Sequence, residues 1–287
     1  MQLSALFFFV DGLGMGRDDP SVNPLFRGDC PTLARWLREE AVPLDATLDT
    51  PGLPQSATGQ TSLFTGINGA KAHGGHKEGY PGPALREVIE KQNLFDLVQA
   101  RGGACAFANA YYLEGLSPAE LRRRRSVTTV MTLKALGGVR GLPELERGDA
   151  VYNDLVRRRL NERGYPTPLI APEEAGRHLV SIAAQHSLTL FEYFQTDTTA
   201  HKGSPENTAR VLRELDAALV VAARFAEKEN RLFLVCSDHG NIEDASTRTH
   251  TRNPVPLIAF GAGADLLRAK ARSLSDVTPL LVSLYEN

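Results

Sequence analysis

Short apolar runs that alternate with helix-like stretches constrain the fold of this chain more than any other feature. The apolar runs are residues 3–10, 104–109, 188–194, 232–236 and 256–260. The best helix candidates are residues 31–40, 93–100, 173–185 and 204–229, the last with Ser204 as its N-cap. Strands buried on both faces read as continuous apolar runs, so the alternation predicts a mainly parallel sheet with helices on both faces. We therefore expect an α/β fold, a three-layer α/β/α sandwich.

Length and charge bound the class of protein. At 287 residues, the chain is long enough for one large domain, or for a core domain with a smaller insert. Its formal net charge of -2 provides no general attraction to nucleic acid or to anionic membranes. Two local basic runs, residues 122–125 and 157–159, are interpreted as solvated helix faces. We expect no nucleic-acid partner and no membrane partner, and no feature indicates an oligomeric state.

The cysteines and the opening segment indicate the compartment. Cys30, Cys105 and Cys236 are far apart and form no Cys-x-x-Cys motif, which argues against a zinc knuckle and a secreted disulfide scaffold. The apolar run in residues 1–10 lacks a basic leading region and a small-residue cleavage site, so it is interpreted as a buried strand. No segment is long enough to span a bilayer. The sequence therefore predicts a soluble cytoplasmic protein.

The middle of the chain departs from the strand and helix rhythm. Residues 111–168 are rich in arginine, are interrupted by Gly137-Gly138 and Gly141, and carry weak strand signals. We interpret this segment as a small cap or insert in a catalytic core formed by residues 1–110 and 169–287. The alternative is that the segment is a long helical crossover between two core strands.

Acidic residues follow three of the apolar runs. Asp11, Asp197 and Asp238 each come directly after a run or within a few residues of its end. The carboxyl ends of the strands in an open parallel sheet converge on one edge, where ligands bind. Each aspartate alone would be interpreted as a helix cap. Together they predict a crevice that receives carboxylates from three separate strands.

Histidines accompany two of these aspartates. His201 stands four residues after Asp197, so the two side chains can reach one metal ion from a single turn of chain. Asp238 and His239 are adjacent, and their side chains would diverge in a simple strand. In that case they would bind different ions, whereas in a turn they could share one. His250 lies in a polar segment just before the last apolar run, where a histidine alone is more often a surface residue.

Residues 51–66 combine turn residues, small polar residues and then apolar residues, the pattern of a loop that enters a helix. A hydroxyl at such a junction has free backbone amides and the positive end of the helix dipole beside it, which suits a phosphate. Ser56 stands at the junction, but alone it would be an ordinary N-cap. Thr58, Thr61 and Ser62 are close by, so composition does not select the nucleophile.

Four motifs together resemble the alkaline phosphatase superfamily, most closely the metalloenzyme domain of cofactor-independent phosphoglycerate mutases and phosphopentomutases. The motifs are Val10-Asp11-Gly12, Asp197-x-x-x-His201, Ser237-Asp238-His239-Gly240-Asn241 and Thr249-His250-Thr251-x-Asn253-Pro254-Val255-Pro256. The last two, in this order and at this separation, are highly specific. Judged from the positions of these motifs, the similarity covers roughly residues 1–110 and 180–265. It does not cover the middle of the chain.

The resemblance implies a set of ligands and a nucleophile. The nucleophile of the family stands ten residues before a glycine that closes a helix turn, and Ser56 stands in this relation to Gly66, which selects Ser56 over Thr58. Two divalent metal ions are implied, and the ligand types suit Mn²⁺ or Zn²⁺ equally. The implied ligands are Asp197, His201 and His250 for one ion, and Asp11, Asp238 and His239, with Ser56, for the other.

A phosphoester hydrolase or phosphotransferase that acts on a small phosphorylated substrate is therefore the expected function. Hydrolysis is favoured because the glycerate mutases carry a much larger domain where this chain has only residues 111–168. A phosphomutase is the first alternative, and a phosphodiesterase, sulfatase or phosphonate hydrolase activity is another. A non-catalytic relative that binds metal or a phosphorylated ligand is the alternative of a different class. His73, Lys202 and Arg252 are candidates for contact with the substrate.

Overall fold

A six-stranded sheet forms the centre of the computed structural model, which describes residues 3–112 and 125–286. The strands are β1 (Ser4–Val10), β2 (Val42–Leu44), β3 (Cys105–Phe107), β4 (Leu188–Tyr193), β5 (Arg231–Cys236) and β6 (Val255–Gly261). Across the sheet their order is β2-β6-β5-β1-β4-β3. The predicted apolar runs all form strands, whereas the short edge strand β2, which contains Pro43, was not predicted.

Helices occupy nearly half of the remaining described chain. They are α1 (Pro31–Glu39), α2 (Ser56–Thr65), α3 (Gly69–His73), α4 (Pro83–Lys91), α5 (Leu94–Gln99), α6 (Val127–Leu136), α7 (Leu142–Arg147), α8 (Arg158–Glu162), α9 (Pro172–Ala183), α10 (Gln195–Lys202), α11 (Pro205–Ala223), α12 (Ala264–Lys270) and α13 (Leu274–Ser283). The Ser204 side chain accepts a hydrogen bond from the Asn207 amide, so Ser204 caps α11 as the sequence predicts. No helix among these described elements is long and apolar enough to cross a membrane, and the cytoplasmic location stays a prediction.

Strand direction determines which loops meet. The central strand β1 pairs in parallel with β4 and β5, and β3 pairs in parallel with β4. The β6 strand pairs antiparallel with both β5 and β2, so it runs against the other five. The residues that precede β6 therefore lie at the same edge as those that follow β1, β4 and β5. This arrangement confirms the mainly parallel α/β sheet.

The two faces of the sheet carry separate apolar cores. On β1, Phe7 and Phe9 belong to one core, which includes residues of α2 and α13. Leu6, Phe8 and Val10 belong to the other, which includes residues of α1, α9 and α11. Alternate residues of a strand point to opposite faces, so helices cover both sides. The structure confirms the three-layer sandwich.

Helix α2 is buried although most of its side chains are polar or small. The hydroxyls of Thr61, Ser62 and Thr65 donate hydrogen bonds of 2.6–2.8 Å to carbonyls one turn earlier, which satisfies them without water. The helix begins at Ser56, and its N-cap is Gln55. Ser56 is therefore the first helical residue rather than the N-cap that its neighbourhood alone suggests.

The connection between β3 and β4 contains the described part of residues 111–168. Helix α6 packs into the main core through Val127, Val130 and Met131. A smaller apolar cluster is formed by Ala110, Leu145, Ala150, Tyr152 and Leu160. The division into a core and a cap stays a prediction, and residues 122–124 of the first basic run lie outside the described residues.

The interpretation of the second basic run as a solvated face is wrong at its first residue. Arg157 is buried, with 8% of its surface exposed, and its guanidinium donates to the carbonyl of Leu145 at 3.1 Å. Arg158 is half-buried and contacts Glu214 at 2.6 Å. Arg157 thus holds two parts of the β3–β4 connection together, and Arg158 ties that connection to α11, which a local run of charge does not reveal.

Replacing Phe8 with alanine tests the core on the α9 and α11 face. The Phe8 ring is fully buried and lies edge-on to Phe191, with 5.1 Å between ring centroids. Phe8→Ala is expected to lower the free energy of unfolding by about 3–5 kcal/mol, because it leaves a cavity in a packed core. Urea denaturation followed by circular dichroism measures this change, with Leu169→Ala, at a side chain that is 53% exposed, as the control. Equal stability of the two variants would contradict the assigned packing.

Candidate metal centre

The loops at the carboxyl edge of the sheet bring six acidic and imidazole side chains together. Asp11 directly follows β1, and Asp238 and His239 follow β5. Asp197 lies in the first turn of α10, which begins soon after β4, and His201 lies one turn later in the same helix. His250 precedes the reversed strand β6 and so reaches the same edge. The topology thus accounts for the position of every predicted ligand.

Asp197, His201 and His250 form the first ligand set. The Nε2 atoms of the two histidines are 3.1 Å apart. Each Nε2 lies 3.4 Å from Oδ1 of Asp197. Three ligand atoms at these mutual distances can coordinate one ion, as the resemblance implies.

Asp11, Asp238 and His239 form the second ligand set. Nε2 of His239 lies 3.2 Å from Oδ1 of Asp11 and 3.6 Å from Oδ2 of Asp238. Because β5 ends at Cys236, Asp238 and His239 lie in the turn beyond it, and their side chains converge. The structure thus has the turn that sharing of one ion requires, and the sharing itself stays a prediction.

His239 connects the two sets. A ligand atom of His239 lies within 4.8 Å of one in each of Asp197 and His250, as well as of those in the second set. The His239 and His250 rings are stacked, with centroids 3.7 Å apart and planes at 15°. The two sets therefore adjoin through one imidazole, rather than forming separate sites.

Backbone carbonyls orient all three imidazoles in the same way. Nδ1–H of His201 donates to the carbonyl of Arg248 at 2.7 Å, and Nδ1–H of His250 donates to that of Pro54 at 2.9 Å. Nδ1–H of His239 donates to the Gly240 carbonyl at 3.3 Å. Each bond fixes the tautomer that leaves Nε2 free to act as a ligand. All three Nε2 atoms face the carboxylates.

The carboxylates of the centre strongly affect one another. Burial raises the pKa of Asp11 well above its usual value, and the nearby charges of Asp238 and Asp197 raise it further. Oδ1 of Asp11 is buried and has no hydrogen-bond partner among the described residues. Burial also acts to raise the pKa of Asp197, but His250 and His239, when protonated, outweigh it and lower the pKa to about 2. A buried anionic cluster with an unpartnered oxygen and imidazole nitrogens fits divalent cations.

Ser56 occupies the open side of this cluster. Its Oγ lies 3.0 Å from Nε2 of His239, at the first residue of α2. Thr58 is fully buried; its hydroxyl donates to the Gln55 carbonyl at 3.0 Å and accepts from the Lys77 amide at 3.3 Å. The Thr58 hydroxyl therefore supports the loop, whereas the Ser56 hydroxyl faces the ligand sets.

Comparison with known proteins agrees with this geometry. A model of the metalloenzyme superfamily matches residues 4–286. The chain belongs to the metalloenzyme superfamily. The resemblance of the sequence motifs to the alkaline phosphatase superfamily and its phosphoglycerate mutases is thereby confirmed.

Two curated relatives of this metalloenzyme are 2,3-bisphosphoglycerate-independent phosphoglycerate mutases. The protein of Paracoccus denitrificans (strain Pd 1222) is 32% identical over 123 residues, which are 40% of this chain and 24% of that protein. The protein of Mycoplasmopsis synoviae (strain 53) is 29% identical over 122 residues, again 40% of this chain and 24% of the relative. The matched part thus spans about a quarter of the length of these relatives.

Solved structures share the fold of the metalloenzyme. The alkaline phosphatase of the Antarctic bacterium TAB5 superposes with a TM-score of 0.59 at 13% identity, covering 100% of this chain and 99% of that one. The Leishmania mexicana phosphoglycerate mutase superposes with a TM-score of 0.52 at 12% identity, covering 99% of this chain and 95% of that one. Both confirm the alkaline phosphatase-like fold.

Glu243 is a residue of the metalloenzyme that the sequence analysis missed. It is buried, and its carboxylate accepts hydrogen bonds from the amides of Gly14 at 3.0 Å and Asn241 at 2.7 Å. It also accepts from the Thr251 hydroxyl and from Nδ2 of Asn253 at 3.0 Å. It therefore ties together the three loops that carry the ligands from β1, β5 and β6. Its position two residues after the motif that ends at Asn241 was the available signal.

Glu192 was also missed. It stands in β4, lines the same cavity as Asp11 and Ser56, and receives a hydrogen bond of 2.6 Å from the Thr128 hydroxyl. Burial raises its pKa to about 7, against the effect of the Thr128 hydrogen bond, and the charge of Asp238 adds to the increase. An acidic residue in an otherwise apolar strand is the sequence signal that identifies it.

The three predicted substrate contacts lie outside the described lining of this cavity. His73 is exposed at the end of α3. Lys202 lines a smaller, separate cavity beside α10. The Arg252 guanidinium donates to the Gly52 carbonyl at 2.8 and 3.0 Å. Their roles in substrate binding stay predictions.

Replacing Glu243 with glutamine tests the support of the ligand loops. The change keeps the shape of the side chain but turns one acceptor oxygen into a donor, which opposes the amide and hydroxyl donors around it. We expect the affinity for Mn²⁺ to fall roughly 10- to 100-fold, the usual effect of losing a group that orients ligands. Isothermal titration calorimetry measures the affinity, and Asp265→Asn, at a side chain that is 97% exposed, is the control. Unchanged affinity in the Glu243 variant would reject this role.

Proposed function

We propose that the protein is a phosphoester hydrolase that uses Ser56 as its nucleophile and two divalent cations. The observation that carries the proposal is the position of the Ser56 hydroxyl, 3.0 Å from Nε2 of His239, which itself adjoins both ligand sets. A hydroxyl beside two metal positions at the start of a helix is suited to attack a phosphate ester. Membership of the metalloenzyme superfamily supports the requirement for metal.

The ligand sets assign a role to each part of the centre. Asp197, His201 and His250 would hold one cation, and Asp11, Asp238 and His239 the other, next to Ser56. When bound, these cations would supply Lewis-acid chemistry, which activates the Ser56 hydroxyl and offsets the charge of the phosphate oxygens. Both nitrogen and oxygen ligands are present, which suits Mn²⁺ or Zn²⁺.

The reaction proceeds in two displacement steps at phosphorus. Ser56 gives up its proton to solvent, and its Oγ forms a bond to phosphorus while the bond from phosphorus to the ester oxygen breaks. The departing alkoxide takes up a proton from solvent and leaves as the alcohol, and the phosphoryl group stays on Ser56. Water then attacks phosphorus and gives up a proton, the bond to Oγ breaks, the serine oxygen is reprotonated, and inorganic phosphate leaves. Oγ lies at the start of α2, where the positive end of the helix dipole would stabilise negative charge on the phosphoryl group.

The substrate is proposed to be a small phosphorylated molecule. A phosphomutase is the second candidate, because the named sequence relatives are 2,3-bisphosphoglycerate-independent phosphoglycerate mutases. A mutase must keep water from the phosphoserine, which requires a closing element that grips the substrate. The resemblance to the glycerate mutases implies a large separate domain for this purpose, and the part of this chain between β3 and β4 is much shorter than such a domain. We therefore favour hydrolysis.

The Ser56→Ala variant tests the nucleophile. We expect the release of phosphate from a phosphate ester to fall at least about a thousandfold, because the covalent step loses its attacking atom. Folding and Mn²⁺ binding are expected to persist, since the change removes one hydroxyl and adds no bulk. Thr58→Ala is the matched variant in the same helix and should reduce the rate less. The opposite order of the two variants would exclude Ser56 as the nucleophile.

A product assay separates hydrolysis from mutation. The wild-type protein is incubated with Mn²⁺ or Zn²⁺ and a phosphoglycerate, or with a generic phosphate ester such as 4-nitrophenyl phosphate. Free phosphate is measured by molybdate colour, and positional isomers of the phosphoglycerate by ³¹P NMR. Stoichiometric release of phosphate is the result expected. Isomerisation without release of phosphate would reject the hydrolase and establish the mutase.

A further inference from the structure

We propose that the substrate carries a flat aromatic group next to its phosphate ester, rather than a small polyol or a free sugar. The proposal rests on the phosphoester chemistry proposed above and concerns the other end of the same cavity. That cavity has a volume of about 610 Å³ and includes Asp11, Ser56 and Asp197 in its lining. Cavities of roughly 300–1,000 Å³ hold drug-sized ligands, so this one has room for an aromatic group beside the phosphate.

Away from the metal ligands, aromatic and aliphatic side chains form one part of the cavity lining, beside polar residues that include Arg125 and Arg163. We call the apolar part the aromatic wall; its members are Tyr80, Tyr111, Tyr112, Leu133 and Phe194. Tyr80 is 48% exposed, a large degree for an aromatic ring. Aromatic rings bind flat apolar groups by stacking and edge contacts, which gain free energy beyond the area they bury. The wall thus matches an aromatic ligand in shape and in chemistry.

The rings of the wall are held in place by their own polar contacts. The Tyr111 hydroxyl shares a hydrogen bond of 2.7 Å with Oγ1 of Thr129. The Arg163 guanidinium donates to the Tyr152 hydroxyl at 3.2 Å and to the Tyr112 carbonyl at 3.3 Å, and lies over the Tyr112 ring at 5.4 Å. These contacts fix the rings before a ligand arrives, which lowers the entropic cost of binding.

Most polar side chains near the wall already have partners within the protein. The Asn109 side chain exchanges two hydrogen bonds with the backbone of Glu192, at 2.7 and 2.8 Å. Ser126 bonds to the hydroxyls of neighbouring threonines. Oδ1 of Asn153 accepts from the Gln195 side chain at 2.9 Å. A sugar or a polyol would lose water here and recover few hydrogen bonds, so this end of the cavity disfavours such substrates.

The test compares two alkyl phosphates whose leaving groups are similar primary alcohols: 2-phenylethyl phosphate and glycerol 1-phosphate. This choice separates recognition of the ring from the intrinsic reactivity of aryl esters. With the Mn²⁺-loaded full-length protein, we expect kcat/KM for 2-phenylethyl phosphate to be at least about tenfold higher, as expected for one or two aromatic contacts. Tyr112→Ala and Tyr80→Ala should bring the ratio to within about threefold, whereas Leu169→Ala, outside the wall, should preserve it.

The outcomes separate this inference from the proposed function. Hydrolysis of both esters with equal efficiency, or a preference for glycerol 1-phosphate, would overturn the aromatic preference while leaving the hydrolase intact. If neither ester is hydrolysed, the hydrolase fails, and binding of 2-phenylethylphosphonate and propylphosphonate by calorimetry decides the inference instead. Tighter binding of the phenyl compound that is lost in Tyr112→Ala supports the aromatic wall. Equal binding of the two phosphonates rejects it.

Discussion

Three carboxylates held close together at one edge of the sheet are the constraint on which the rest of the site depends. Asp11, Asp197 and Asp238 come from three neighbouring strands and are removed from most solvent. The charges of Asp238 and Asp197 add to the effect of burial and raise the pKa of Asp11. Divalent cations would offset this concentration of negative charge directly. The fold thus maintains a cluster of carboxylates and imidazoles that suits divalent cations.

The surrounding structure is built to hold that arrangement. Gly12 has a positive φ of 70°, and a Cβ there would lie 2.9 Å from Asp197, so only glycine fits the turn after β1. A Cβ on Gly59 would lie 2.5 Å from the Asp238 carbonyl, so glycine lets α2 approach the second ligand set. Glu243 accepts hydrogen bonds from the loops that follow β1 and β5 and from the loop that precedes β6. The two glycines, which lack a Cβ, and the buried carboxylate of Glu243 therefore determine how closely the candidate ligands and Ser56 approach one another.

The sequence predicted the helices, the strands and the candidate ligands better than it predicted the contacts between distant segments. Apolar runs fix where buried strands form, and strand ends in a parallel sheet fix where carboxylates gather, so Asp11, Asp197 and Asp238 could be predicted. His250 was ambiguous from the residues alone, because an apolar run does not encode strand direction and only the reversal of β6 brings it to the edge. Glu243 acts through contacts between loops distant in sequence, which no local pattern displays. The aromatic wall is likewise assembled from separate segments.

The central claim is that six side chains hold two divalent cations, and the number of bound ions per chain measures it most directly. Equilibrium dialysis of the purified protein against Mn²⁺ or Zn²⁺, followed by elemental analysis, gives that number. The account predicts two ions per wild-type chain, and one in the double variant Asp11→Asn/Asp238→Asn, which removes two ligands of the second set only. A wild-type chain that retains one ion or none at saturating metal would contradict the account.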